Sequence, residues 1–129
     1  MLRRITPATI SPPLANYSHA VEVPPNARWL YLSGQLGVAP DGSVPESCAA
    51  QAEACFANLL AILAEAGMGP GDLVRLSTYL TDPADRAAYM TVRDRHVAPP
   101  PPASTLVVVR ALARPEFKVE IEAVAARIG

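Results

Sequence analysis

Charged residues are scarce in this chain and nearly balanced in sign. Asp, Glu, Lys and Arg make up only 18% of the 129 residues, and the formal net charge is -1. Aromatic residues make up 5%. Proteins that bind nucleic acid carry a basic patch, and those that bind single strands add stacking aromatic residues. The composition therefore argues against a nucleic-acid partner, and the short basic clusters at 2–4 and 93–95 do not change this.

Long hydrophobic runs are also missing, although hydrophobic residues make up 50% of the chain. No uninterrupted run approaches the ~20 residues of a membrane span. The two arginines near the start are not followed by the apolar core of a signal peptide. We therefore expect a cytoplasmic protein with no membrane partner. The length suits one domain, residues 1–129, around a single core.

Cysteine and histidine are too few and too scattered for the usual metal or nucleophile motifs. Cys48 and Cys55 lie about 10 Å apart along a predicted helix, too far for a mutual disulfide. His19 and His96 have no second ligand at a metal-binding spacing, and the chain contains neither HExxH nor GxSxG. We expect no metal, no other cofactor, and thiols that are unreactive.

Turn signals and hydrophobic spacing predict the element order β-β-β-α-β-α-β-β. Short β-rich runs between prolines predict strands near 3–6, 19–23 and 28–34. Apolar residues at helical spacing predict a long helix from about Pro45 to Ala66. Asp82 before Pro83 is a candidate N-cap for a second helix that runs to about Val97. Three further strands are predicted, at 72–82, 104–111 and 117–125.

One face of the predicted sheet lacks a cover. Two helices can cover only one face of a sheet of about six strands. The strand 104–111 is apolar on both sides, which is typical of a strand buried on both faces. We therefore expect an α+β fold whose helix-free face packs against other copies of the chain.

The last strand, FKVEIEA, directs two carboxylates away from the helices. Phe117, Val119 and Ile121 alternate with Glu120 and Glu122, so the glutamates lie on the helix-free face. A carboxylate that is partly desolvated at an interface is suited to hold a water and accept its proton. Ordinary solvated strand charges are the alternative interpretation.

Four segments, taken in order, resemble the Rid family (RidA/YjgF, also labelled endoribonuclease L-PSP). They are NYSHAV at 16–21, LSGQLG at 32–37, DLVRLSTYLTD at 72–82, and PAS with KVEIEAVA near the end. The resemblance implies a chorismate-mutase-like fold, a six-stranded mixed sheet with two helices on one face. It also implies a homotrimer with three small-molecule clefts between subunits. For the best-known branch it implies hydrolysis of reactive enamines or imines to 2-oxo acids and ammonia, without a cofactor.

The resemblance also implies roles for individual residues. Glu120 would be catalytic by positioning the attacking water, and the remaining site residues would bind substrate: Tyr17, Ser33, Gly34, Ser104 and Met90. Ser104 stands where the best-known branch has a carboxylate-clamping arginine, and Met90 stands where an asparagine is usual. A serine hydroxyl supplies neither the charge nor the bidentate geometry of a guanidinium. The chain therefore resembles a branch that lacks this arginine, for which Arg75 and Arg110 are candidate replacements.

Three functions follow from these observations. The leading hypothesis is a homotrimeric hydrolase of an enamine, imine or related C–N metabolite that does not strictly need a carboxylate clamp. The alternative is a non-catalytic module that binds or senses a metabolite. Three side chains of the best-known branch are replaced together: its arginine by Ser104, its asparagine by Met90, and a cysteine by Leu106. A ribonuclease or translation inhibitor, as the older label suggests, has little support in an acidic chain without a basic stripe.

Overall fold

The computed structural model describes residues 1–129 and contains two α-helices and six β-strands. In chain order these are β1 Arg3–Ile5, β2 Ala20–Glu22, β3 Arg28–Leu36, α1 Cys48–Glu65, β4 Leu73–Leu80, α2 Arg86–His96, β5 Ala103–Val108 and β6 Val119–Arg127. The predicted α+β class and element order are confirmed. The last two strands differ from the prediction at their ends, because β5 stops at Val108 and β6 begins at Val119.

The six strands form two separate sheets, of four and two strands, not the single six-stranded sheet that was predicted. The main sheet has the order β3-β6-β4-β5, in which only β4 and β5 run parallel, and β1 pairs with β2 as a separate antiparallel ladder. Pro24 and Pro25 lie between β2 and β3 and have no N–H to donate to a ladder. Asn26 follows them with φ 73°. This segment therefore separates the two sheets.

Both helices pack on one face of the main sheet and enclose the core. Ser47 caps α1 by accepting a hydrogen bond from the N–H of Ala50 at 3.1 Å. The apolar stripe of α1 is buried against alternate residues of β6, in a core that includes Cys55, Phe56, Leu59, Leu63, Val119, Ile121 and Ala125. Burial of each large side chain contributes roughly 1.5–3 kcal/mol. The free energy of this burial fixes which face of β6 is turned inward.

Helix α1 is long and apolar enough, by length and composition alone, to cross a membrane. One such helix is weak support for a membrane span, because the core helix of a globular protein passes the same test. Here Ala52, Cys55, Phe56, Leu59 and Leu63 are all buried within the fold. The hydrophobicity of α1 is therefore accounted for by packing on the sheet.

The opposite, helix-free face of the main sheet is exposed in the single chain. Tyr31 on β3 is 77% exposed and Val107 on β5 is 42% exposed. The prediction that β5 is buried on both faces is not met within one chain, because β5 is the edge strand of the sheet.

Candidate functional site

Glu120 lies on the helix-free face in direct contact with Gly34 of β3. The ladder between β3 and β6 shifts register between Leu32 and Gln35, which leaves Ser33 and Gly34 without paired partners. A Cβ atom on residue 34 would lie 2.9 Å from Cδ of Glu120, so only glycine leaves room for the carboxylate. Glu120, Ser33 and Gly34 are therefore neighbours, and we call them the Glu120 half-site.

Glu122, the second glutamate of β6, accepts a hydrogen bond from another side chain of the same chain. The Tyr79 hydroxyl donates a 2.6 Å hydrogen bond to Oε1 of Glu122, and this bond raises the pKa of Tyr79. Glu120 has no such side-chain donor within the chain and is half-buried. The guanidinium of Arg75, on the same face, donates a 2.6 Å hydrogen bond to Oγ1 of Thr105. Of the two carboxylates, Glu120 is the one left free to bind a water.

The other predicted binding residues gather around a cavity of about 280 Å³. Its lining consists of Leu14, Ala15, Tyr17, Arg86, Met90, Arg93, Ser104, Thr105 and Leu106. Tyr17, Met90 and Ser104 were each predicted from the sequence, and the fold brings them together. We call this space the Ser104 cavity.

The segment before β2 is held against the proline run that precedes Ser104. The Ser18 hydroxyl donates to the carbonyl of Pro101 at 2.6 Å, and the Ser18 N–H donates to the carbonyl of Pro102 at 2.9 Å. An isolated bridge joins Ser18 to Ala103. Tyr17 is thereby fixed beside the start of β5, in the wall of the Ser104 cavity.

The Glu120 half-site and the Ser104 cavity lie on opposite faces of the main sheet. Ser104 is in register with Leu76, which points into the core, whereas Glu120 is in register with Tyr79 on the helix-free face. Two strand spacings and three residue steps separate Ser104 from Glu120, or about 14 Å between their Cα atoms. A single copy of the chain cannot place both side chains on one small molecule.

One residue of the Ser104 cavity that was not predicted from the sequence is a buried cation. Arg93 on α2 is 1% exposed, and its Nε and both terminal nitrogens have no hydrogen-bond partner. From the sequence, Arg93 was considered only as part of the short basic cluster at 93–95. Of the two arginines considered before, Arg75 lies on the helix-free face and Arg110 lines a separate depression with Asp82 and Lys118.

The two cysteines are free and buried in the core. Burial raises the pKa of Cys48 to about 11 and that of Cys55 to about 12. A thiol is nucleophilic only as its thiolate. Neither cysteine is therefore suited to act as a nucleophile near neutral pH.

The order and packing of these elements define an α+β domain with small polar sites on both faces of its sheet. A protein-family model described as Endoribonuclease L-PSP matches residues 8–127. The chain belongs to this family, which includes the Rid and YjgF proteins.

Two curated proteins are similar to this chain over most of its length. Protein DfrA of Myxococcus xanthus is 40% identical over 111 residues, which are 84% of this chain and 83% of the relative. The 2-iminobutanoate/2-iminopropanoate deaminase of Escherichia coli strain K12 is 34% identical over 126 residues, 94% of this chain and 91% of the relative.

Among solved structures, YyfB from Yersinia pestis, a Rid-family protein of unknown function, is 36% identical and superimposes with a TM-score of 0.87. The match covers 98% of each chain. The predicted chorismate-mutase-like fold is thereby confirmed.

Proposed function

We propose that the chain is a metal-free hydrolase of reactive imines or enamines and works as a homotrimer. Each active cleft would combine the Glu120 half-site of one copy with the Ser104 cavity of another. One observation carries this proposal: the two sets of residues lie on opposite faces of the sheet, so a second copy is needed to complete the site. Relatives named as 2-iminobutanoate/2-iminopropanoate deaminase and as reactive intermediate deaminase support the choice of reaction.

Exposed apolar surface supports self-association. Trp29 and Tyr31 stand side by side on the helix-free face with stacked rings 6.4 Å apart, and Val107 and Val108 are exposed on the edge strand β5. Contiguous apolar patches and unprotected strand edges are typical of surfaces that another chain covers. Packing of copies through this face would also bring Glu120 to an interface.

The proposed reaction adds water to the carbon of a C=N bond. The imine reacts in its nitrogen-protonated form: the Glu120 carboxylate accepts a proton from the water as the oxygen bonds to carbon, the C=N π electrons pass to nitrogen, and a neutral carbinolamine forms. Glu120 then returns this proton to nitrogen. The C–N bond breaks, ammonia leaves, and the hydroxyl proton passes to solvent as the carbonyl compound forms. An enamine enters the same sequence after it tautomerises to the imine. General acid and base catalysis of this kind contributes about 100- to 10,000-fold.

The test compares two glutamates of the same strand. An amino-acid oxidase generates 2-iminobutanoate in solution, and release of 2-oxobutanoate is followed with and without the protein. We expect acceleration by the wild type, loss of about 100-fold or more in Glu120→Gln, and little change in Glu122→Gln. Equal activity in wild type and Glu120→Gln would refute the mechanism. Ligand binding without any turnover by the wild type would favour the non-catalytic binding module instead.

We also propose that the protein is cytoplasmic. Both cysteines are reduced and buried, which fits a compartment in which thiols remain unpaired.

A further inference from the structure

Arg93 is a buried cation whose charge is poorly compensated within the chain. All three of its guanidinium nitrogens are buried, and none of them donates a hydrogen bond within the chain. The nearest carboxylate is that of Asp94, 3.5 Å away, and Asp94 is about half exposed and also accepts a hydrogen bond from Asn16. Burying a cation without hydrogen bonds is costly, and proteins normally pair such a group. The N–H groups of the Arg93 guanidinium are therefore left without acceptors within the chain.

The Ser104 cavity has the charge and size to take a small anion. Arg86 and Arg93 both line it, and none of its nine lining residues is acidic, although acidic residues outnumber basic ones in the chain as a whole. Ser104 and Tyr17 add hydroxyl groups to the same wall. Its volume of about 280 Å³ suits a metabolite of a few carbon atoms.

The position of Arg93 in α2 is fixed by packing one helical turn away. Tyr89 is fully buried and its hydroxyl shares a 2.6 Å hydrogen bond with Thr78 of β4. The carbonyl of Arg93 accepts the N–H of Val97 at 2.9 Å. A guanidinium mounted on a fixed helix loses little freedom when it binds a ligand.

We propose that Arg93 is the anion-binding residue of the Ser104 cavity and holds a carboxylate of the ligand, with the Ser104 hydroxyl as a second donor. This inference rests on the proposed function, because it names the chemical class of the ligand in the same cleft. The best-known branch has its clamping arginine at the position of Ser104, at the start of β5. In this chain, Arg93 on α2 supplies the guanidinium instead. The ligand class is then a small 2-imino or 2-oxo acid, and not a neutral imine.

The test measures binding of a matched pair of probes, 2-oxobutanoate and 2-butanone, which differ by a carboxylate in place of a methyl group. We expect wild type to bind 2-oxobutanoate measurably more tightly than 2-butanone. Arg93→Met should weaken 2-oxobutanoate binding about 10- to 100-fold and leave binding of 2-butanone unchanged. Arg95→Met is the matched control. Arg95 lies on the same helix as Arg93, but it pairs with Glu53 of α1 outside the cavity.

Stability distinguishes a binding role from a structural one. Arg93→Met removes a buried charge together with its desolvation cost. Its partner Asp94 is about half exposed, so the change leaves no unpaired buried carboxylate, and the melting temperature of Arg93→Met should not fall. The wild-type comparison of the two probes holds even if a variant misfolds. The inference is overturned if wild type does not prefer 2-oxobutanoate, or if a folded Arg93→Met binds it as tightly as wild type.

Binding and turnover separate the two proposals. If 2-oxobutanoate binds through Arg93 but 2-iminobutanoate is not hydrolysed, the hydrolase proposal fails and the inference about Arg93 stands. If 2-iminobutanoate is hydrolysed equally well by wild type and Arg93→Met, the inference fails and the hydrolase proposal stands.

Discussion

The contact between Glu120 and Gly34 allows the catalytic proposal to be tested without changing any functional group. In Gly34→Ala the added methyl would lie 2.9 Å from Cδ of Glu120, whereas ordinary contacts begin at about 3.4 Å. The carboxylate must therefore move by at least about 0.5 Å at Cδ, and by more at its nearer oxygen. The atoms in the way belong to the far end of the flexible Glu120 side chain, so the backbone need not move to make room for the methyl group.

The expected effect is on catalysis and not on stability. A misplacement of about 1 Å can reduce a rate by about 100-fold, so we expect Gly34→Ala to lower kcat/KM by about 10- to 100-fold. The melting temperature should change little, because residue 34 does not have a positive φ. Release of 2-oxobutanoate from 2-iminobutanoate measures the first quantity, and thermal unfolding followed by circular dichroism measures the second.

Two comparisons make this prediction refutable. Gly71→Ala is the control, because a Cβ at residue 71 meets nothing within 4 Å and the site is far from Glu120 in the chain. In the double variant with Glu120→Gln, the Gly34→Ala change should cause almost no further loss, because both act on the same carboxylate. Full activity in Gly34→Ala, or a loss that simply adds to that of Glu120→Gln, would show that the position of this carboxylate does not matter.

Two further predictions concern assembly and the thiols. Val107→Glu should disrupt packing of copies through the edge strand β5. Light scattering should therefore give a mass of three chains for wild type and a smaller mass for the folded variant, whereas the control Ala57→Glu, on the outer side of α1, should keep the wild-type mass. A mass of one chain for wild type would contradict the trimer. Because burial raises the pKa of both cysteines, Cys48 and Cys55 stay protonated at mildly alkaline pH, below their folded pKa values of about 11 and 12. A disulfide reagent should therefore react slowly with native protein and quickly in concentrated guanidinium chloride, and equal rates would be inconsistent with the buried thiols.

The element order, the inward faces of α1 and β6, and the family could all be predicted from the sequence alone. Hydrophobic spacing is a local property, so the stripe of α1 and the alternation around Glu120 could be identified without knowing any tertiary contact. The same alternation correctly separated Glu120 and Glu122 from the core. The resemblance, carried by short ordered motifs, led to Tyr17, Met90 and Ser104, which the fold then brings to one cavity.

How these residues are distributed in space depends on contacts between distant parts of the chain. Whether Ser104 and Glu120 share a face depends on strand order and register across three strands, which local periodicity does not encode. The burial of Arg93 likewise depends on which side of α2 packs on the sheet and on the segment around Tyr17. In the sequence, Arg93 is followed by Asp94 and Arg95, and a run of charges of this kind usually indicates a solvent-exposed helix face. Its isolation from solvent and from hydrogen-bond partners arises from contacts between segments that are distant in the chain.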